Sequence, residues 1–142
     1  MLKSTRTAIH TLGIAGLIPF VVPVILMISG SSHAQVAYDF AQAYAFAIIC
    51  FLCGAWWGSS LGTDRRYPII LSNLYLLVAF FIFALIPNWW PLAAPLLLVG
   101  IFITELNRSM FPSVPAFYRY LRAILTLVSA SSMFLILLVR PG

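Results

Sequence analysis

Cys50 and Cys53 stand in the spacing Cys-x-x-Cys, a pattern whose residue types could do redox chemistry. In a soluble redox domain that spacing reads as a dithiol motif. Here both thiols fall near the middle of an apolar run. The thiolate, which is the form that attacks or binds metal, is disfavoured in such surroundings, so the pair reads as inert packing. His10 and His33 are the only other candidate metal ligands, and the topology derived below puts them on opposite sides of a membrane. No metal site, and no haem held between two histidines, is therefore expected. The sequence carries no nucleotide loop, zinc signature or nucleophile elbow.

What remains is a set of polar side chains at one expected depth: His10, Trp57, Ser60, Asn73, Glu105 and Arg122. Glu105 is the only acidic residue expected inside a membrane span. A charge there costs about 2.5–3.5 kcal/mol on insertion scales and is usually paired or turned to the bundle interior. Glu105 is expected to pair with Arg122 or Arg108. Two readings stand side by side. One is a structural clamp between the last two spans, with snorkelling at the helix ends. The other is a small polar pocket open to the cytoplasm.

A different pattern marks the second apolar run. Ala43, Ala47, Cys50, Gly54, Gly58 and Gly62 follow at steps of four, three, four, four and four, along one stripe of a helix. Lipid tails are as apolar as leucine, so helices in a bilayer associate by close packing, and small residues permit it. The GxxxG repeat at Gly54, Gly58 and Gly62 is expected to seat a neighbouring helix, either of this chain or of another subunit.

These residues are carried by five apolar stretches, at about Ala8–Ser29, Phe40–Leu61, Ile69–Ile86, Pro91–Leu106 and Leu121–Val139. A spanning helix needs ~20 apolar residues, with a range of about 17–25. The fourth stretch is short and holds Pro95 near its start, yet it is read as a true span. With the N-terminus in the cytoplasm, Lys3, Arg6, Arg65, Arg66, Arg108, Arg119 and Arg122 fall inside and only Arg140 falls outside. Basic residues in short loops resist translocation, so this split argues for five spans with the C-terminus in the periplasm. The expectation is an all-α, five-transmembrane-helix bundle over residues 1–142, in the inner membrane and without a second, soluble domain.

Composition agrees. Hydrophobic residues form 63% of the chain and charged ones 8%, where a soluble domain carries about 25% charged. The net charge of +5 is spread over membrane-flanking positions and points to anionic lipid headgroups, with nucleic acid excluded as a partner. Lys3 and Arg6 before an apolar run, followed by Ser32-His33-Ala34, resemble a secretory signal. That run, at about twenty residues, exceeds the ~7–15 of a signal core and contains Pro19 and Pro23. It is read as a first transmembrane helix kinked at its prolines.

The connections are expected to be short. Ser29–Asp39 reads as an exterior polar loop, and Gly62–Arg66 as a tight cytoplasmic turn. Pro87–Pro91 reads as an exterior turn whose Trp89 and Trp90 suit the headgroup layer. Asn107–Tyr118 is the longest cytoplasmic link, and its Met110, Phe111 and Phe117 place it on the membrane interface.

Three stretches carry a resemblance to a known family. They are Leu12-Gly-Ile-Ala-Gly-Leu-Ile-Pro-Phe20, Tyr44 through Gly58, and Tyr118-Arg-Tyr-Leu-Arg-Ala-Ile-Leu-Thr126. Together they resemble a small membrane family of unknown activity that includes mitochondrial transmembrane protein sixty-nine. The chain departs from that pattern at Cys53, where the family tends to have Gly. It departs again at Ser72-Asn-Leu-Tyr-Leu76, which lacks the family's usual Pro and Trp. The resemblance implies a membrane-spanning fold and brings no activity with it.

For function the residues support three expectations. The first is a non-catalytic accessory subunit packed against a larger inner-membrane complex, a respiratory or photosynthetic electron-transfer assembly being the kind considered. It has no cofactor of its own, though lipid or pigment at the periphery is compatible with it. The second is a transporter or channel component using Glu105, Arg122 and Asn73. The third is a quinone- or lipid-binding protein using the region of Trp56, Trp57 and His10. One His and one carboxylate at a rim do not make a mechanism, so no enzyme is expected.

Overall fold

The computed structural model describes residues 3–140. The four terminal residues of the expected 1–142 unit lie outside the described part. Six α-helices follow one another: α1 (Lys3–Ala15), α2 (Ile18–Ile28), α3 (Ala34–Ser60), α4 (Tyr67–Leu85), α5 (Trp90–Glu105) and α6 (Ala116–Leu138). A short 3₁₀ turn, Pro87–Trp89, leads into α5. Among the described residues five spans are long and apolar enough to cross a bilayer: α1 with α2, then α3, α4, the 3₁₀ turn with α5, and α6. No strand occurs among the described residues. The chain is an all-helical, multi-pass membrane protein.

The first span breaks where proline chemistry dictates. Pro19 has no amide hydrogen and its ring crowds the carbonyl four residues back, so α1 stops at Ala15 and α2 starts at Ile18. The break therefore precedes the prolines, and Pro23 sits inside α2. The Phe20 amide donates to Leu17 rather than to Gly16, which frees the Gly16 carbonyl. The Tyr44 hydroxyl donates to that carbonyl at 2.9 Å. A freed backbone acceptor in a membrane needs such a partner.

At the other end of this span Gly30 adopts φ +69°. The Ser31 amide reaches Leu26 O and the Gly30 amide reaches Met27 O, the double bond of a Schellman cap, which requires a left-handed residue.

α3 is the longest helix and the centre of the core. It begins at Ala34, so most of the expected exterior loop is helical and Asp39 lies within the helix, where Gln35 Nε2 donates to its Oδ1 at 3.0 Å. Burial explains the extension: Ala37, Tyr38 and Ala41 face the core. The same face continues through Ala45, Ile49, Leu52, Cys53 and Trp56 to Ser60. α2, α4 and α5 all pack on α3, and α6 closes the bundle against α5 and α2.

The turn before α5 holds two tryptophans with opposite fates. Trp89 is 63% exposed, as a headgroup-layer residue should be, but Trp90 is 1% exposed. Trp90 lies edge-on to Phe46 and Phe83, and its Nε1 donates to the Gln42 carbonyl at 3.0 Å. The expectation that both rings occupy the interface is thus corrected for Trp90. Counting the 3₁₀ turn, the fourth span runs Pro87–Glu105 and is long enough to cross.

Candidate functional site

The helix order brings the start of α1, the end of α3, the end of α5 and the start of α6 to one end of the bundle. There the sequence leaves its one expected intramembrane acid. Glu105 ends α5 and Arg122 lies in the second turn of α6. Arg122 Nε donates to Glu105 Oε2 at 2.9 Å. Of the two partners expected for Glu105, the structure selects Arg122.

The other carboxylate oxygen is also engaged. Trp56 Nε1 donates to Glu105 Oε1 at 3.0 Å. The cluster thus ties three helices: α3 through Trp56, α5 through Glu105, α6 through Arg122. The indole is fixed in turn by neighbours. Tyr75 of α4 lies edge-on at 5.8 Å and Phe111 packs at 5.2 Å. Tyr75 shares a 3.0 Å hydrogen bond with Thr104 Oγ1, which itself donates to Gly100 O. Gly100 is needed for this approach, since a Cβ there would stand 3.2 Å from the Tyr75 hydroxyl.

The α5–α6 link folds in rather than lying flat on the interface. Phe111 is buried against Trp56, and Arg119 Nη2 donates to its carbonyl at 3.2 Å. Phe117 belongs to α6, not to the link; it receives the Arg6 guanidinium at 4.7 Å and the His10 ring at 5.7 Å. These aromatic contacts tie α1 to the start of α6.

Beneath the link is a cavity of about 100 Å³ whose polar lining comes from Trp56, Ser59, Glu105, Tyr118, Arg119 and Arg122. Two cationic groups and one carboxylate meet there, so the cavity carries one uncompensated positive charge. Arg122 is 6% exposed. Its Nη2 and the Nε of Arg119 are buried without a hydrogen-bond partner among the described residues.

The remaining expected members of the polar set stand apart. Trp57 is 43% exposed; one residue on from Trp56, it is turned by about 100° around the helix and points away from the core. Asn73 is exposed and donates to Ile69 O of its own helix. His10 is half-buried at the Phe117 contact, outside the cluster. Ser60 is buried on the core face of α3 but shares no hydrogen bond with Glu105 or Arg122. The structure therefore brings together Glu105 and Arg122 and replaces Trp57 by Trp56. Cys50 and Cys53 are free thiols, and no group of three metal-ligating side chains occurs among the described residues.

The small-residue stripe of α3 seats no helix among the described residues. Ala43, Ala47, Gly54 and Gly58 are exposed, and Cys50 is half-buried. A Cβ added at Gly54 or Gly58 would meet nothing within 4 Å. At about 100° per residue, the stripe lies opposite the face that carries Ala37, Ala41, Ala45 and Ile49, and that is the face on which the bundle packs. Gly62 lies past the helix end with φ +80°. It serves the turn into α4 rather than the stripe.

Comparison with known proteins agrees with this architecture. A family profile described as "Protein of unknown function (DUF3429)" matches residues 5–138. Transmembrane protein 69 of Xenopus tropicalis is 34% identical over 137 aligned positions, which cover 86% of this chain and 50% of the relative. The chain thus spans about half the length of that relative. No solved structure matches.

Proposed function

The chain belongs to the DUF3429 family, and we propose that, as a membrane-embedded member of it, this protein is a non-catalytic accessory subunit that packs against other transmembrane chains. The observation that carries this reading is the outward stripe of α3, open to its surroundings at Gly54 and Gly58. Small residues facing lipid contribute nothing to the bundle's own packing. Their use in a bilayer is to let a second backbone approach. α3 already presents one small-residue face to its own bundle, through Ala37, Ala41 and Ala45, and this second one has no partner among the described residues.

The chemistry of the Glu105 cluster supports the same reading. Both carboxylate oxygens are taken by fixed donors, which is the arrangement of a clamp rather than of a group that exchanges protons or ions. A transporter reading would instead require flux that falls on Glu105→Gln. The proposed placement is the inner membrane, and the basic residues support the orientation, with Lys3, Arg6, Arg65, Arg66, Arg108, Arg119 and Arg122 on the cytoplasmic side and Arg140 in the periplasm. A respiratory or photosynthetic electron-transfer complex is the proposed kind of assembly.

Extraction of the native membrane in mild detergent, followed by size separation, mass spectrometry and an absorption spectrum, tests the proposal. The expected result is migration with a larger assembly and its pigments or haems. Migration alone, or as a small homo-oligomer, would defeat it.

A further inference from the structure

A second cavity, of about 350 Å³, runs between α1, α3 and α6. Its wall is apolar, formed largely by Ile9, Leu12, Gly13, Leu17, Ile48 and Leu125. Leu12 and Phe51 at its rim are exposed, so the cavity opens sideways, toward the bilayer. It shares Leu52, Tyr118 and Arg122 with the smaller polar cavity under the α5–α6 link. Together they form an apolar slot that ends at a cationic floor.

That floor has unspent hydrogen-bonding capacity. Arg122 is more than nine-tenths buried, and its Nη2 has no partner among the described residues. Arg119 Nε, one helical turn away, is in the same condition. Leaving buried donors of a charged group unpaired is costly. Glu105 neutralises one of the two guanidinium groups and leaves the other without a counter-ion.

We propose that this slot binds an anionic phospholipid, with one acyl chain in the apolar cavity and the phosphate against Arg122 and Arg119. Guanidinium groups are well suited to phosphate. Donors on two side chains a turn apart suit the divergent oxygens of a phosphodiester better than the planar pair of a fatty-acid carboxylate. The volume is at the small end of the ~300–1,000 Å³ typical of ligand sites, which suits one chain. The lateral opening leaves the second chain in the bilayer. This site lies on α1, α3 and α6; its rim at Phe51 borders the outward stripe of α3, but its walls and floor come from this chain alone.

Native mass spectrometry of the purified full chain, offered equal amounts of phosphatidylglycerol, phosphatidylcholine and oleate, tests the site. One phosphatidylglycerol per chain should be retained, in preference to phosphatidylcholine by about tenfold. Arg119→Gln leaves the Glu105–Arg122 pair intact and should cut that preference by about fivefold. Gly13→Leu fills the slot. A Cβ there stands 3.4 Å from Leu121 and Leu125 methyl carbons, an ordinary contact, and the change favours the helix. It should abolish retention with thermal unfolding unchanged. Equal retention of the two phospholipids, retention of oleate in preference to both, or full preference in Arg119→Gln would overturn the proposal. So would lipid retention by a Gly13→Leu chain matching that of the parent.

Discussion

The two ends of the bundle each bury one tryptophan and solve its indole N–H differently. At one end Trp56 donates to the Glu105 carboxylate, which also binds Arg122. At the other, Trp90 donates to the main-chain carbonyl of Gln42, an oxygen with a second lone pair to offer beside its helical bond. The first end is held by charge, through three side chains that must all be present. The second is held by shape, through an indole wedged against Phe46 and Phe83. The contrast teaches that a buried polar group in a membrane bundle can be satisfied cheaply by backbone. Ionised partners are therefore a costlier choice, and one that ties three helices through side chains alone.

The largest expected effect is at the shape-held end. Trp90→Ala removes a ring that is almost wholly buried and should destabilise the bundle by roughly 3–5 kcal/mol, measured as unfolding in mixed micelles. Trp90→Phe should recover most of that, because packing and not the hydrogen bond dominates there. If the two variants lost equal stability, the division between a charge-held and a shape-held end would collapse.

Next comes the charge-held end. Glu105→Ala leaves Arg122 buried and unpaired and should cost about 3 kcal/mol. Replacing both partners, Glu105→Leu with Arg122→Leu, should return to within about 1.5 kcal/mol of the parent, since well-packed apolar pairs often match a buried ion pair. A double variant as unstable as Glu105→Ala would mean that the pair stabilises the fold directly and that its value exceeds its desolvation.

How much of this was legible beforehand follows from the same two ends. Five spans and a basic partner for Glu105, Arg122 or Arg108, can be read because charges inside apolar runs are few and each demands a partner; only the structure chooses Arg122. Trp56 could not be told from Trp57 by composition. Only the phase of α3, set by Ala37, Ala41, Ala45 and Ile49 together, turns the first ring inward. The alanine ladder is the signal that sets this phase, and the glycine ladder on the opposite face is a competing one because small residues of either kind permit close approach. Residue type alone places Trp90 at the interface, whereas the Gln42 carbonyl and two phenyl rings hold it in the core. The early start of α3 is not legible in the sequence, because Asp39 and Gln35 are typical loop residues and only their i,i+4 bond and the buried Ala37 place them in the helix.

The shape-held end also contains a flaw that the charge-held end would not tolerate in the same form. The Gln42 side chain is buried, with neither its Oε1 nor its Nε2 bonded among the described residues. An unsatisfied buried amide costs about 1–3 kcal/mol. Gln42→Leu should therefore stabilise the bundle, by about 1 kcal/mol after the imperfect fit of a branched side chain is subtracted. A loss of stability of that size instead would show that the amide is paired in the membrane and that this end, too, depends on polar bonds.

The smallest effect on the fold is expected where α3 faces outward, and that is why it separates folding from association. Gly58→Leu adds a side chain where a Cβ would meet nothing within 4 Å, and it removes a helix-weakening glycine. The isolated bundle should change by no more than about 0.5 kcal/mol. The mirror substitution, Ala45→Leu on the buried face, should overpack the core and cost about 1–3 kcal/mol. If a partner helix rests on Gly58, Gly58→Leu must abolish co-migration with the larger assembly even though the bundle unfolds at the parent temperature. Retained co-migration would leave the stripe facing lipid, and the accessory-subunit reading would lose the observation on which it rests. The two faces of one helix thus make opposite predictions when a small residue on each becomes Leu, one read in stability and the other in association.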